Sequence, residues 1–253
     1  KPLTDNLADA DSIIESVARH GVKLMVGHNY RFNPAILQAR EALRSGEIGL
    51  PWAIHSEWII AAGKNSCVLH YLQNDQVCKK GHLLLMDVGA SYANYNADMT
   101  RTIPVSGKFS RRQKQVYNAV LRVLRASIAG ATMGKMHKDW TKESQAHMNE
   151  ELLELGLIKK SQIKKQDPDN PACRKYFMHG LGHTLGLDVH DVGDAYVPFA
   201  AGTVLTVEPG IYIPDEGFGV RLEDDIVVTE DGPVNLMAKI PIEAGEIESI
   251  MNR

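Results

Sequence analysis

Four carboxylates and one imidazole stand at the ends of apolar runs in this sequence. They are Asp87 in LLLMDVGA, Asp98 in NADMTRT, His183 in HGLGHTLG, Glu208 in TVEPG and Glu223 in RLEDD. Each motif reads as a strand or strand edge, where a carboxylate is costly to bury unless a cation neutralises it. Two doubly charged cations balance four negative charges. Carboxylate oxygens with a single imidazole suit Mn²⁺, Co²⁺ or Zn²⁺ better than a thiolate-selected site does. Two such ions, about 3.5–4 Å apart, can polarise a carbonyl and activate water. The set therefore implies a dinuclear metallohydrolase.

Other polar residues near these motifs have less to say alone. Strand alternation turns Asp224 away from Glu223, and Asp225 would share its face; both are read as structural. Asp188, Asp191 and Asp194 are read as loop carboxylates that orient backbone or histidine. Arg221, two residues before Glu223, is assigned to supporting the acidic site or the fold rather than to substrate.

The elements that must position the five residues follow from periodicity and turn chemistry. The runs 67–72 and 83–88 are short and β-type, and NYNADMTRTIPV reads as a return strand after a turn. An eleven-residue separation lets Asp87 and Asp98 meet across an antiparallel hairpin. Ser110 with Gln113 forms a capping box for a helix through Ala129, with Val116, Val120, Leu124 and Ile128 as its buried stripe. A second helix over 139–155 buries Trp140, Met148 and Leu152 and stops at Gly156. The stretch 156–176 is polar and proline-bearing and reads as a surface connection. Strands near 204–207 and 220–228 present Glu208 and Glu223.

Taken together, IIAAGKNSCVLHY, LLLMDVGASYANYNADMTRTIPVSGKFS, YFMHGLGHTLGLDVHDVG, VLTVEPGIYIP and GVRLEDDIVVTEDG resemble the catalytic domain of the aminopeptidase P (Xaa-Pro aminopeptidase) branch of the family M24 metallopeptidases. The resemblance covers 59–253. It implies an α/β (α+β) pita-bread fold in which Asp98 and Glu223 bridge two metal ions, Asp87 binds one, and His183 with Glu208 bind the other. Manganese is the favoured metal, with cobalt and zinc as alternatives. Glu208 also becomes the candidate for passing a proton to the leaving amine. His70, His179 and His190 match positions that contact substrate and the developing oxyanion. The implied substrate is a peptide with proline second. Prolidase-like dipeptide hydrolysis and a metal-free binding role stay open as alternatives. A homo-oligomer is compatible with the resemblance.

Residues 1–58 differ in character. Lys1 and Pro2, and GHNYRFNP at 27–34, resemble the middle of a Gfo/Idh/MocA-type dehydrogenase. Helices are expected at 8–19, capped by Asn6, and at 33–45, with a strand at 22–26. The G-x-G-x-x-G loop that such an oxidoreductase needs is absent, so Lys1 has no nucleotide partner. The reading is a non-functional fragment at 1–58, joined without a linker to a catalytic domain at 59–253 whose first helices are missing. The segment is expected to pack separately or loosely.

Composition narrows the partners. The 253 residues are 44% hydrophobic and 23% charged with a net charge of −3, an ordinary globular balance with no basic stripe for nucleic acid or anionic membrane. No apolar run approaches the roughly 20 residues that span a bilayer. Cys67, Cys78 and Cys173 lack C-x-x-C spacing, which fits a reducing compartment and a cytoplasmic enzyme.

Overall fold

A computed structural model describes residues 56–252 apart from 72 and 93, with side chains described from 59 onward. The helices and strand expected within 8–45, and Lys1, lie outside the described residues.

The first sheet is antiparallel, in the order β1 (Ser56–Ala62), β2 (Leu83–Tyr92), β3 (Tyr95–Pro104). Tyr92 faces Tyr95, and Asn94 between them takes φ of 69°, a left-handed value that asparagine tolerates. The register sets Asp87 opposite Thr100 and Asp98 opposite Gly89. Asp87 and Asp98 are thus diagonal neighbours on one face, as the hairpin reading expects.

Two helices follow. Helix α1 (Arg111–Gly130) begins at the expected box, with the Gln113 N–H donating to Ser110 Oγ at 3.2 Å and the Ser110 N–H to Gln113 Oε1 at 2.9 Å. Val116, Val120 and Leu124 are buried, and Ile128 is partly so. Helix α2 (His137–Glu154) buries Trp140, Met148 and Leu152, and Trp140 Nε1–H reaches the Ser127 carbonyl of α1 at 2.7 Å. Past its end, Gly156 takes φ of 72°, the stop its sequence position implies. Ser110→Ala removes a cap from a helix that packs against α2 and into the main core, so it should lower stability by about 1 kcal/mol in denaturant unfolding, with unchanged m-value.

The C-terminal strands make a long hairpin with a break in it. β4 (Val204–Val207) pairs with β7 (Asp224–Thr229), which also pairs with β8 (Gly232–Asn235); β5 (Gly210–Ile213) pairs with β6 (Phe218–Arg221). Val207 faces Asp224 and Gly210 faces Arg221, so one antiparallel register runs through both pairs with 208–209 and 222–223 in the gap. Pro209 has no N–H to continue the ladder. The freed donors turn outward: the Glu208 N–H goes to the Leu181 carbonyl at 2.8 Å and the Glu223 N–H to the Thr100 carbonyl at 3.0 Å. The apolar faces of these strands, including Leu205, Val207, Ile211, Val220, Leu222, Ile226 and Val228, form one core with α1 and α2.

Three expectations need correction. The strand expected at 67–72 is not there: Gly63–Cys67 is a 3₁₀ helix, followed by bends and turns, and residue 72 lies outside the described residues. The strand at 220–228 is two strands, because the Glu223 N–H leaves the ladder for Thr100, while the Leu222 N–H still donates to the Pro209 carbonyl at 3.3 Å. The stretch 156–176 is not wholly superficial. It contains α3 (Lys160–Lys164) and a 3₁₀ turn, and it buries Ile158, Cys173 and Tyr176 in the core. Its polar residues mask three apolar anchors too widely spaced to show a period. The chain closes with α4 (Ala244–Met251).

Candidate metal centre

The break in the long hairpin places two carboxylates where strands from three directions meet. Glu208 and Glu223 occupy the gap, and Asp87 and Asp98 come from β2 and β3. His183 lies on an extended segment that adds to β4: the Thr206 N–H donates to the His183 carbonyl at 2.9 Å, and the Leu185 N–H to the Val204 carbonyl at 3.3 Å. A side chain at Gly182 would put its Cβ 2.0 Å from the Thr206 carbonyl oxygen, so only glycine permits this approach.

One ligand atom each from Asp98, His183 and Glu223 lie within 4.8 Å of one another. His183 Nε2 is 3.8 Å from Asp98 Oδ2 and 3.9 Å from Glu208 Oε1. His183 Nδ1–H donates to the Thr184 carbonyl at 3.0 Å, which fixes the tautomer and leaves Nε2 as a free ligand. Asp87 meets the buried Arg221 guanidinium at 2.5 Å. The structure thus brings all five residues to one place.

The donor set fits divalent cations on its own chemistry. Glu223 is 1% exposed, and its Oε1 has no hydrogen-bond partner while Oε2 accepts from Thr100 Oγ at 2.6 Å. A buried carboxylate oxygen without a donor is rare and costly. Burial, and then the neighbouring carboxylates Glu208, Asp98 and Asp87, push the Glu223 carboxyl well above the ordinary range. Burial and Asp87 push Asp98 up to about 8, and burial raises Glu208 to about 7 against the lowering pull of Arg221. Carboxylates held this close without a cation repel one another, and two divalent ions would remove that repulsion.

The remaining predicted residues fall around this cluster. His179 is lowered to about 3 by burial and then by Arg221. Its Nδ1–H faces the Gly180 carbonyl at 2.8 Å, and Nε2 accepts from the Tyr212 hydroxyl at 2.7 Å. His179 Nδ1 is also 3.8 Å from Glu208 Oε2. His190 stacks edge-on against His183 with ring centroids 4.3 Å apart. His70 lies exposed in a turn, near enough to act on the charge of His179. Asp191 accepts the Leu187 and Val192 N–H groups and Asp194 accepts that of Tyr196, as orienting loop carboxylates would. Asp224 is turned to Arg101 at 2.6 Å and to Asn235. Asp225 accepts the Asp98 backbone N–H at 3.1 Å, so it steadies the strand beneath a ligand.

Several supporting residues escaped the sequence reading. Tyr212 is fully buried between His179 and Arg221, whose Nη1–H donates to its hydroxyl at 3.2 Å. Thr100 bonds Glu223, and Thr206 Oγ accepts the His183 N–H at 3.0 Å. Both stand two residues from a predicted ligand, so the period of two was the available signal, and Arg221, expected to support the acidic site or the fold, bonds Asp87. His137 carried none: its Nε2–H reaches the Gly182 carbonyl at 3.0 Å from the start of α2.

Comparison with known proteins agrees with this geometry. The model of "Metallopeptidase family M24" matches residues 35–230. The Xaa-Pro aminopeptidase of Haemophilus influenzae is 41% identical over 77% of this chain and 47% of its own length. Among solved structures, proline aminopeptidase P II of Yersinia pestis superposes with a TM-score of 0.74 at 38% identity, covering 86% of this chain and 52% of that one. A zinc-substituted Escherichia coli aminopeptidase P in complex with product gives 0.71 at 36% identity over 86% and 52%. The chain spans about half the length of the curated relatives it matches. Its mixed α/β architecture is the pita-bread fold of these enzymes, and the chain belongs to metallopeptidase family M24.

Proposed function

We propose that this chain carries the hydrolytic centre of an Xaa-Pro aminopeptidase, releasing the N-terminal residue from peptides with proline second. The carrying observation is the convergence of Asp98, His183 and Glu223 donor atoms within 4.8 Å around a buried, unpartnered Glu223 oxygen. The Xaa-Pro aminopeptidases among its relatives support this specificity over that of a dipeptidase. Asp87, Asp98, His183, Glu208 and Glu223 would hold two divalent ions, manganese in preference to cobalt or zinc. When bound, such ions supply Lewis acidity toward the scissile carbonyl and lower the pKa of the attacking water.

The protein's own groups do the rest. Glu208 faces both His179 and His183 at 3.8 and 3.9 Å, a position from which it can take a proton and return it to the leaving nitrogen. His179 and His190 adjoin the cluster, and with His70 they would contact the peptide. The bond before proline lacks an N–H, so selection rests on pocket shape and these histidines rather than on an amide donor. The His179 Nδ1–H rests on the Gly180 carbonyl while Nε2 accepts from the Tyr212 hydroxyl, so as a donor to the transition state it would exchange Gly180 for the substrate oxygen. Removing it with His179→Ala should leave metal content unchanged and lower kcat roughly 10²–10³-fold, the scale of a lost transition-state donor. Equal kcat in the variant would remove His179 from catalysis.

Residues 1–58 contribute no oxidoreductase activity in this reading, and calorimetry should detect no nicotinamide cofactor binding. No helix among the described residues is long and apolar enough to cross a membrane. Three unpaired cysteines fit a reducing, cytoplasmic setting. Peptides are the proposed partners, with no nucleic acid and no membrane among them, and self-association is compatible. The decisive experiment is elemental analysis with an Xaa-Pro peptide assay. About two divalent ions per chain and hydrolysis that chelator abolishes and Mn²⁺ restores are expected. Hydrolysis indifferent to chelator would overturn the reading.

A further inference from the structure

The segment 186–198 approaches the centre from outside and carries His190 to its ring contact with His183. It contains neither helix nor strand, and Leu187, Val192 and Tyr196 are exposed. Its first turn is closed largely on itself. Asp191 accepts the N–H groups of Leu187 at 2.9 Å and Val192 at 2.7 Å, and its own N–H reaches the Thr184 carbonyl at 3.0 Å. Its far end is tied by the Phe199 N–H to the Lys135 carbonyl at 2.9 Å. None of these bonds fixes the turn relative to the strands that present the aspartates.

Asn96 does. Its backbone N–H donates to the Gly186 carbonyl at 2.8 Å, and its side-chain Nδ2 donates to the Gly186 carbonyl at 3.2 Å and to that of Leu187 at 2.7 Å. Ser91 Oγ–H donates to Asn96 Oδ1 at 2.6 Å, so the amide oxygen is occupied and the NH₂ group must face the loop. Asn96 is two residues before Asp98 on β3 and therefore projects on the same face as that carboxylate. We propose that Asn96 is a positioning residue: a latch that ties the ligand-bearing strand β3 to the loop and sets His190 over the metal centre. It acts through the loop and needs no contact with substrate. Its catalytic consequence rests on the aminopeptidase reading; the latch itself does not.

The test uses the metal-loaded full chain with Asn96→Ala, Asn96→Leu and, as a milder change, Ser91→Ala. Chymotryptic cleavage after Leu187 or Tyr196 under native conditions should quicken roughly tenfold in both Asn96 variants, as expected when hydrogen bonds that hold a locally opening segment are lost. Cleavage within 68–82 should stay at the wild-type rate, which a general loss of stability would not permit. Ser91→Ala should shift the loop rate in the same direction but less. Metal content should be unchanged, and kcat toward an Xaa-Pro peptide should fall roughly tenfold with little change in KM. Wild-type cleavage rates in both Asn96 variants overturn the latch. Faster loop cleavage with unchanged kcat overturns its positioning role. A wild-type chain that binds metal but leaves Xaa-Pro peptides intact sinks the aminopeptidase reading alone, and the cleavage comparison still decides the latch.

Discussion

Replacing Glu223 with glutamine should abolish metal-dependent hydrolysis while making the metal-free protein more stable. The two effects have one cause. Glu223 is buried where the charges of Glu208, Asp98 and Asp87 all bear on it, and one of its oxygens has no donor. Neutralising it removes an anionic ligand from the cation site, so metal affinity should drop by more than the roughly 10–100-fold that loss of an outer-shell partner costs. The same change relieves repulsion among the remaining carboxylates, so the chelated variant should melt at or above chelated wild type. The Thr100 hydroxyl can still donate to the amide oxygen, which keeps the side chain in place. Asp98→Asn should behave likewise. Full metal occupancy with normal hydrolysis in both variants would remove these residues from the site. A large loss of stability in the chelated variants would mean that the carboxylates serve the fold instead.

The second expected result is that metal and pH act on stability together. In metal-free protein, Asp98 is raised to about 8 and Glu208 to about 7, chiefly by burial and then, for both, by Asp87, with Arg221 opposing at Glu208. Unfolded carboxyls titrate near 4. Between about pH 4 and 8 the folded state therefore binds more protons than the unfolded state, and the stability contributed by these groups is lost as pH rises. Chelated protein should melt at lower temperature at pH 8 than at pH 5.5. Divalent ions compete with those protons, so the gain in melting temperature from excess Mn²⁺ should grow over the same interval. Identical thermal scans with chelator and with Mn²⁺ at pH 8 would contradict the idea that the cluster is a cation site. A chelated protein that becomes more stable toward pH 8 would show that the carboxyls are not raised.

Much of this could be read without coordinates, because the relevant information is local. The capping box at Ser110 and Gln113 needs residues three apart, and the glycine stop at 156 needs only its own conformational freedom. The stripe on α1 and the hairpin that unites Asp87 with Asp98 follow from periods of 3.6 and 2. The five residue types, in order, also pointed to a cation site, since charge balance depends on composition and not on shape. Arg221 was legible as support for the acidic site, and Thr100 and Thr206 were within reach of the same period of two.

What only the tertiary structure decided are the contacts between residues far apart in the chain. Pro209 can be seen in the sequence to interrupt a ladder, but not that its break aligns with the one at 222–223, so that Glu208 and Glu223 turn their N–H groups to Leu181 and Thr100. The addition of the His183 segment to β4, the seat of Asp225 behind Asp98, the pairing of Arg101 with Asp224, and the hold of Asn96 on Leu187 join positions that have no shared period. Such bonds form because buried donors and acceptors must find partners once the sheets have packed. Which partner each one finds is set by the packing, and a local pattern carries no record of it.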